Sequence, residues 1–293
     1  MRIGVQLPEV ERVVRWPELK SMAAAAEAAG LDSIWVGDHL LYRHPDEVVG
    51  PWEAWTVLAG LAAVTDTVAI GPLVAALPFH NPALLAKQVA AVQEISGGRL
   101  IFGVGAGWNQ TEFAAFGLPY SRRVDRFADS MGVIRRLLAG ETVTHRSEFV
   151  TLEECVIRPR SRFGVPPIIV GSNRPRMLSL TLPWVDGWNT WFRSFGNDVD
   201  RLRKLAAAID RACVQAGRDP ATLEKSAALL MQFGPARATS RGDNPWRGTP
   251  QELAERLGEV EALGIGHVQL VLDPITLESI EAAAAVVGAF QSR

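Results

Sequence analysis

The adjacent pair Asp38-His39 is the combination of side chains in this sequence best suited to chemistry. It follows residues 33–36, a run of aromatic and β-branched residues that predicts a strand. A histidine can exchange a proton near neutral pH, and at the end of a strand it can hydrogen-bond a ligand ring. The pair could equally be structural, with Asp38 capping the next segment and His39 satisfied inside the fold. Because neighbouring side chains need not face each other, the two residues do not by themselves form a dyad.

A glycine-rich run, residues 103–107, closes another predicted strand at 100–104. Glycines let a backbone approach a ligand closely and present its N–H donors. Trp108 occupies the place where G-x-G-x-x-G requires glycine, and no G-x-x-x-x-G-K-[ST] occurs. The run therefore predicts neither a Rossmann fingerprint nor a P-loop, and a tight turn is the structural alternative.

The segment Val170-Gly171-Ser172-Asn173 resembles a phosphate cradle, because a predicted helix follows it and a helix N-terminus offers unpaired N–H groups. Ser172 could instead be only the N-cap of that helix.

Tryptophan is unusually frequent, with nine residues against two tyrosines. Planar apolar side chains beside strand ends suit an aromatic ligand and exclude water, although each could equally be core packing. We expect four to line a substrate pocket: Trp52, Trp108, Trp188 and Trp246. The remaining histidines show no metal-ligand spacing, so no metal site is predicted: His44, His80, His145 and His267.

Eight predicted strands, each followed by a helix, must position these residues. The strands are short, apolar and often β-branched, as expected for strands covered on both faces. We place them at 3–7, 33–36, 68–76, 100–104, 167–170, 185–189, 226–233 and 267–272. Strict alternation with helices favours parallel pairing. The prediction is an α/β (β/α)8 TIM barrel forming one domain over residues 1–293, with a doubly wound open sheet as the alternative. In such a barrel, active sites gather at the C-terminal ends of the strands.

Two segments depart from this rhythm. Residues 140–160 contain β-prone runs that predict a hairpin insertion. Residues 234–248 form a long loop rich in Arg, Gly and Pro, and loops of that length in compact domains often cover active sites. The helix after this loop should begin at Thr249-Pro250, with Glu252 completing a capping box.

The composition is that of an ordinary globular protein, with 48% hydrophobic and 21% charged residues. A formal net charge of −2 provides no basic field for nucleic acid or an anionic membrane. The two cysteines form no C-x-x-C motif and indicate a reducing compartment. The sequence has neither a signal-like start nor a run long enough to span a bilayer, so a cytoplasmic location is expected.

Several segments together resemble one known family. The stretches "RIGVQLPE", "AGLDSIWVGDHL" and "VAIGPLVAALPFHNPALLAKQVAAVQEISGGRLIFGVGAGWNQTEF" are similar to luciferase-like oxidoreductases that use a flavin or a deazaflavin, as are "PPIIVGS", "VDGWN", "GRDP" and "GTPQELAERL". The resemblance covers nearly the whole chain and favours the actinobacterial branch that uses coenzyme F-420, an 8-hydroxy-5-deazaflavin. It implies a (β/α)8 barrel with a pocket at the C-terminal mouth, and a homodimer.

The resemblance also implies residue roles near the ring. Asp38 and His39 correspond to the "DH" that lines the pocket at its reactive face, with His39 as the catalytic residue. The family often carries a non-prolyl cis peptide against the back of the ring, which would fall at Leu73-Val74, followed by Ala75. Pro72 replaces the threonine expected before it.

Three further sets follow from the same resemblance. Gly105, Ala106, Gly107 and Asn109 would line the cofactor, and Gly171 with Ser172 would hold its phosphate. Trp108 stands where some sugar-phosphate-oxidising relatives place a catalytic acid, which argues against their reaction.

The leading hypothesis is hydride transfer between the deazaflavin coenzyme F-420 and a small organic substrate, with His39 donating a hydrogen bond or a proton. The first alternative is an FMN-dependent monooxygenase of the same fold, supplied with reduced FMN by a separate reductase and using oxygen. The second is a non-catalytic cofactor-binding protein. The substrate itself cannot be read from the sequence.

Overall fold

The computed structural model describes residues 1–234 and 244–293. Its strands are β1 (Arg2–Gln6), β2 (Ser33–Val36), β3 (Tyr42–Arg43), β4 (Val48–Val49), β5 (Ala69–Pro72), β6 (Ala75–Ala76), β7 (Phe102–Gly105), β8 (Val143–Arg146), β9 (Thr151–Cys155), β10 (Ile168–Gly171), β11 (Gly187–Thr190), β12 (Glu224–Gln232) and β13 (Ile265–Asp273). Its α-helices are α1 (Trp16–Ala28), α2 (Ala54–Val64), α3 (Pro82–Ile95), α4 (Gln110–Ala115), α5 (Arg123–Ala139), α6 (Pro175–Thr181), α7 (Phe192–Phe195), α8 (Val199–Gln215), α9 (Pro250–Glu261) and α10 (Leu277–Gln291).

Nine of these strands form one sheet in the order β5-β2-β1-β13-β12-β11-β10-β7-β6. The first and last members, β5 and β6, are two parts of the predicted third strand and are separated only by Leu73 and Val74. The strand order therefore returns to its starting point, which an open doubly wound sheet does not do. This topology confirms the predicted α/β (β/α)8 barrel class.

Side chains cap the starts of several helices. Asn81 accepts hydrogen bonds from the N–H groups of Ala83 and Leu84 at the start of α3. Thr249 and Glu252 form the predicted capping box at the start of α9, and Pro250 is its first residue. The second helix begins at Ala54, where the Glu53 side chain accepts the N–H groups of Trp55 and Thr56.

The predicted hairpin insertion is confirmed, since β8 and β9 pair antiparallel. A second hairpin, β3 with β4, was not predicted, because two-residue strands leave no periodic pattern to detect. The predicted loop 234–248 lies largely outside the described residues, which leave out 235–243.

The chain forms two compact units. The first comprises Met1–Trp35, Thr67–Ala69 and Ile169–Arg293, and the second comprises Val36–Asp66 and Ile70–Ile168. The single-domain assignment stays a prediction.

The first unit contains a parallel array in which β1 pairs with β2 and β13, and β12 pairs with β11 and β13. Its core includes the fully buried side chains of Trp35, Trp188 and Trp246. Polar residues also lie inside it: the amide of Asn189 donates to Ser226 Oγ at 2.9 Å and to Gln269 Oε1 at 2.7 Å. This interior is therefore partly polar rather than wholly aliphatic.

The second unit holds α2 to α5, both hairpins, β6, β7 and all of β5 except Ala69. Its core includes Trp55 against Phe102, with ring centroids 5.7 Å apart, and the buried Phe113 and Phe127. None of the helices within residues 1–234 and 244–293 combines the length and apolar character needed to cross a bilayer.

Candidate active site

Asp38 lies two residues after the end of β2, is buried, and has its carboxylate hydrogen-bonded within the protein. Its Oδ2 accepts the backbone N–H of Ala76 at 2.8 Å and the Nε2–H of His80 at 2.7 Å. Burial disfavours the charged imidazole of His80, but the charge and hydrogen bond of Asp38 outweigh this and raise the pKa of His80. Asp38 thus holds the segment around β6 in place, and its predicted role in lining a ring stays a prediction.

His39 is paired with Glu112, a residue that sequence reasoning missed. The Nδ1–H of His39 donates to Glu112 Oε1 at 2.8 Å, and the Leu40 N–H donates to Glu112 Oε2 at 2.6 Å. The Glu112 side chain is completely buried, whereas a fifth of the His39 side chain is exposed. The arrangement is an imidazole that reaches the surface in front of a buried carboxylate, which suits proton exchange.

Two aromatic rings flank the imidazole of His39. The Tyr42 ring lies 4.8 Å from it and the Trp108 ring 5.7 Å, measured between centroids. Trp108 is 64% exposed, so its indole is available to a ligand. Sequence reasoning identified Trp108 but not Tyr42, which belongs to the unpredicted β3–β4 hairpin.

The predicted cis peptide is confirmed at Leu73-Val74, between β5 and β6. Both residues are partly exposed, and Ala75 after them is buried and pairs with Val104 of β7. Gly103 of β7 passes close beneath this segment: a Cβ atom there would lie 2.2 Å from the carbonyl oxygen of Pro72. The close approach explains why this position is a glycine.

The loop after β7 is held by several contacts. Gly107 has φ +70°, a left-handed conformation that favours glycine, and its carbonyl accepts the Arg123 Nε–H at 3.1 Å. Asn109 caps α4 by accepting the Thr111 N–H, and its amide donates to the Leu41 carbonyl at 3.2 Å. Gly105 is buried, but Ala106 and Gly107 are partly exposed. The partly exposed part of the loop is therefore mostly backbone, and its contacts with Arg123 and Leu41 hold it in place.

In the second unit, hydrogen bonds join the predicted pair Asp38-His39 to two other segments. Asp38 bonds to β6 and His39 bonds to α4. Trp52 is also in this unit and is exposed, and its place in the substrate pocket stays a prediction.

In the first unit, Gly171 ends β10 and Ser172 begins the turn before α6. The N-cap of α6 is Arg174, so Ser172 is not the cap; its Oγ instead accepts the Arg174 N–H at 3.3 Å. The Ser172 carbonyl accepts the Nε1–H of Trp188 at 3.0 Å. A phosphate-binding role for Gly171 and Ser172 stays a prediction.

Trp188 and Trp246 are core residues of the first unit, 0% and 1% exposed. The Nε1–H of Trp246 donates to the Asn197 carbonyl at 2.8 Å, and the Arg256 guanidinium lies 4.2 Å above its ring. Both indoles are thus satisfied by protein contacts, and a place in the substrate pocket stays a prediction for them.

Comparison with known proteins agrees with this fold. Residues 1–241 match the family model of the luciferase-like monooxygenases. The chain is 31% identical to the F420-dependent hydroxymycolic acid dehydrogenase of Mycobacterium tuberculosis, over 84% of this chain and 67% of that protein. It is 30% identical to the 5,10-methylenetetrahydromethanopterin reductase of Archaeoglobus fulgidus, over 92% of each.

Among solved structures, the chain resembles an F420-dependent secondary alcohol dehydrogenase in complex with an F420-acetone adduct. The TM-score is 0.79 at 19% identity, and the alignment covers 99% of this chain and 98% of that one. At this identity the likeness supports the fold alone. The family match over most of the sequence shows more: the chain belongs to the luciferase-like monooxygenase family and is an oxidoreductase of that family.

Proposed function

We propose that this enzyme uses coenzyme F-420 to transfer a hydride to or from a small organic substrate, at a site built around His39. The observation that carries the proposal is the partly exposed His39 imidazole hydrogen-bonded to the buried Glu112. Curated relatives at about 30% identity include an enzyme named as F420-dependent, which favours the deazaflavin over FMN.

The backbone segments that we assign to the cofactor suit a planar ring. Leu73, Val74, Ala106 and Gly107 are partly exposed, and at the last two positions little or no side chain covers the backbone. The Trp108 indole offers an aromatic surface beside the imidazole. We therefore assign these residues, with Ala75 and Gly105 as supporting backbone, to hold the ring. When bound, the deazaflavin would supply or accept the hydride.

The chain's own residues then have three tasks. His39 holds the proton that the substrate gains or loses together with the hydride. Asp38 keeps the β6 segment in position through the Ala76 N–H, and Asn109 fixes the loop beside α4. Trp108 excludes water and contacts the substrate, and because it is not an acid, the proton chemistry depends on His39.

The first experiment is a side-by-side titration of the purified protein with coenzyme F-420 and with FMN, followed by fluorescence. We expect quenching of coenzyme F-420 fluorescence and weaker binding of FMN. Tight binding of FMN without binding of coenzyme F-420 would contradict the cofactor assignment and favour a monooxygenase.

The second experiment tests catalysis with His39→Gln and, as a matched control, with the surface histidine variant His44→Gln. We expect His39→Gln to bind the cofactor normally and to lower kcat about 10²–10⁴-fold, the usual contribution of a general acid or base. His44→Gln should turn over like the wild type. Equal substrate-driven reoxidation of the reduced cofactor by all three proteins would exclude a catalytic role for His39.

A further inference from the structure

Glu112 makes its contacts with the segment that carries His39. Its side chain is completely buried, and each carboxylate oxygen accepts one hydrogen bond, from His39 Nδ1 at 2.8 Å and from the Leu40 N–H at 2.6 Å. A carboxylate removed from water requires such donors. The burial of Glu112 is therefore coupled to the position of the imidazole.

The helix that carries Glu112 is itself fixed. The Asn109 amide ties the start of α4 to the Leu41 carbonyl, so residues 39, 40 and 41 each bond to the α4 segment. On the next position of α4, the buried Phe113 ring packs against Phe79 and Tyr120 with centroids 4.8 Å and 5.1 Å away. Because α4 is held in place, the Glu112 carboxylate keeps its position, and the His39 ring must orient its Nδ1 toward that carboxylate.

We propose that Glu112 is a positioning residue that fixes the tautomer of His39, so that Nε2 is the atom through which the substrate exchanges its proton. This inference rests on the proposed function for its catalytic meaning, but not for its geometry. A carboxylate only accepts hydrogen bonds, so Nδ1 carries a proton in both the neutral and the charged ring. The proton that moves is then the one on Nε2: the charged ring gives it to the substrate oxygen and becomes the neutral Nδ1–H tautomer, and the reverse reaction returns it.

The isosteric variant Glu112→Gln separates positioning from simple packing. Its amide oxygen can still accept the Leu40 N–H, which places the amide NH2 opposite Nδ1. An NH2 group donates, so the neutral ring should respond by placing its proton on Nε2. The variant keeps the shape of the side chain and inverts the tautomer.

The tautomer can be measured directly, without cofactor or substrate, by nitrogen NMR of protein labelled at its five histidines. His39→Gln identifies the His39 signals by their loss. We expect the neutral Nδ1–H form for His39 in the wild type and the Nε2–H form in Glu112→Gln. An Nε2–H tautomer in the wild type, or the same tautomer in both proteins, would overturn the proposal even if the protein binds coenzyme F-420 as proposed.

A kinetic cycle with the cofactor-loaded enzyme tests the consequence. We expect Glu112→Gln to lower kcat at least about 10–100-fold, the range found for hydrogen-bond partners behind metal-bound histidines, with little change in KM. In the His39→Gln background the same change should have no further effect, and Glu47→Gln, at an exposed glutamate of the β3–β4 loop, should match the wild type. An equal loss of kcat from Glu112→Gln with and without His39 would show that Glu112 acts on the fold and not through the imidazole.

Discussion

His267 gives the sharpest quantitative prediction, because burial keeps its imidazole neutral. It lies inside the first unit, 3% exposed, with Nε2 2.7 Å from Ser33 Oγ and its ring beside Trp35 at 5.7 Å between centroids. The Ser33 hydroxyl accepts the Trp35 Nε1–H and shares a hydrogen bond with His267 Nε2. Burial, with a smaller contribution from the charge of Arg2, lowers the pKa of His267 from 6.5 to about 3.

The sign and size of the effect follow from proton linkage. Between pH 3 and pH 6.5 the unfolded chain binds a proton at His267 that the folded chain does not, so stability falls as the pH falls through this window. Each pH unit within the window is worth about 1.4 kcal/mol. Between pH 8 and pH 5, His267 should therefore lower the free energy of unfolding by about 2 kcal/mol, roughly 30-fold in the folding equilibrium.

Urea unfolding of the wild type and His267→Gln at pH 8 and pH 5 isolates this contribution, since other titrating groups are common to both proteins. The variant loses the Ser33 contact at both pH values, but the gap between the two proteins should be about 2 kcal/mol smaller at pH 5. His44→Gln, at a surface histidine, measures the background. A gap that stays constant with pH would refute the buried neutral state of His267.

Three further predictions concern local structure. His80, whose pKa is raised by Asp38, should contribute stability below pH 6.5 that is lost as the pH rises through its folded pKa, so the stability cost of His80→Gln in urea unfolding should shrink between pH 6 and pH 9. Gly103→Ala should lower stability by about 1–3 kcal/mol and weaken cofactor binding in a fluorescence titration, because the new Cβ would overlap the Pro72 carbonyl; the control Gly132→Ala, with open space in α5, should be neutral or stabilising. Thr249→Ala should remove the capping box of α9 and lower the free energy of unfolding by about 1 kcal/mol, measured by thermal unfolding.

The sequence predicted those features that depend on neighbouring residues. Strand β2 has the predicted bounds, and the predicted capping box at Thr249 marks the start of α9. Such signals are local, because a cap or a hydrophobic period is complete within one turn or one strand. The eight-unit topology followed from the number and alternation of these local elements.

The partners of the chemical groups could not be predicted in the same way. Glu112 lies 73 positions from His39, and His80 lies 42 positions from Asp38. In the sequence, Glu112 is simply one polar residue of a short helix, and no spacing rule connects it with a strand end elsewhere. The position of Trp188 at a strand end suggested a pocket; its side chain is fully buried, and its place in a pocket stays a prediction.

The Asp38-His39 pair shows what the tertiary structure adds. Two consecutive residues take part in two separate carboxylate–imidazole pairs, Asp38 with His80 and His39 with Glu112. The Asp38 carboxylate also accepts the backbone N–H of Ala76 in β6. Loss of this carboxylate should therefore disturb the backbone of β6. The His39 imidazole instead lies beside the exposed Trp108, where a ligand can reach it. Because the two pairs share no hydrogen-bonding atom, substitutions at Asp38 should act mainly on stability and substitutions at Glu112 mainly on turnover, a division that the adjacent letters in the sequence conceal.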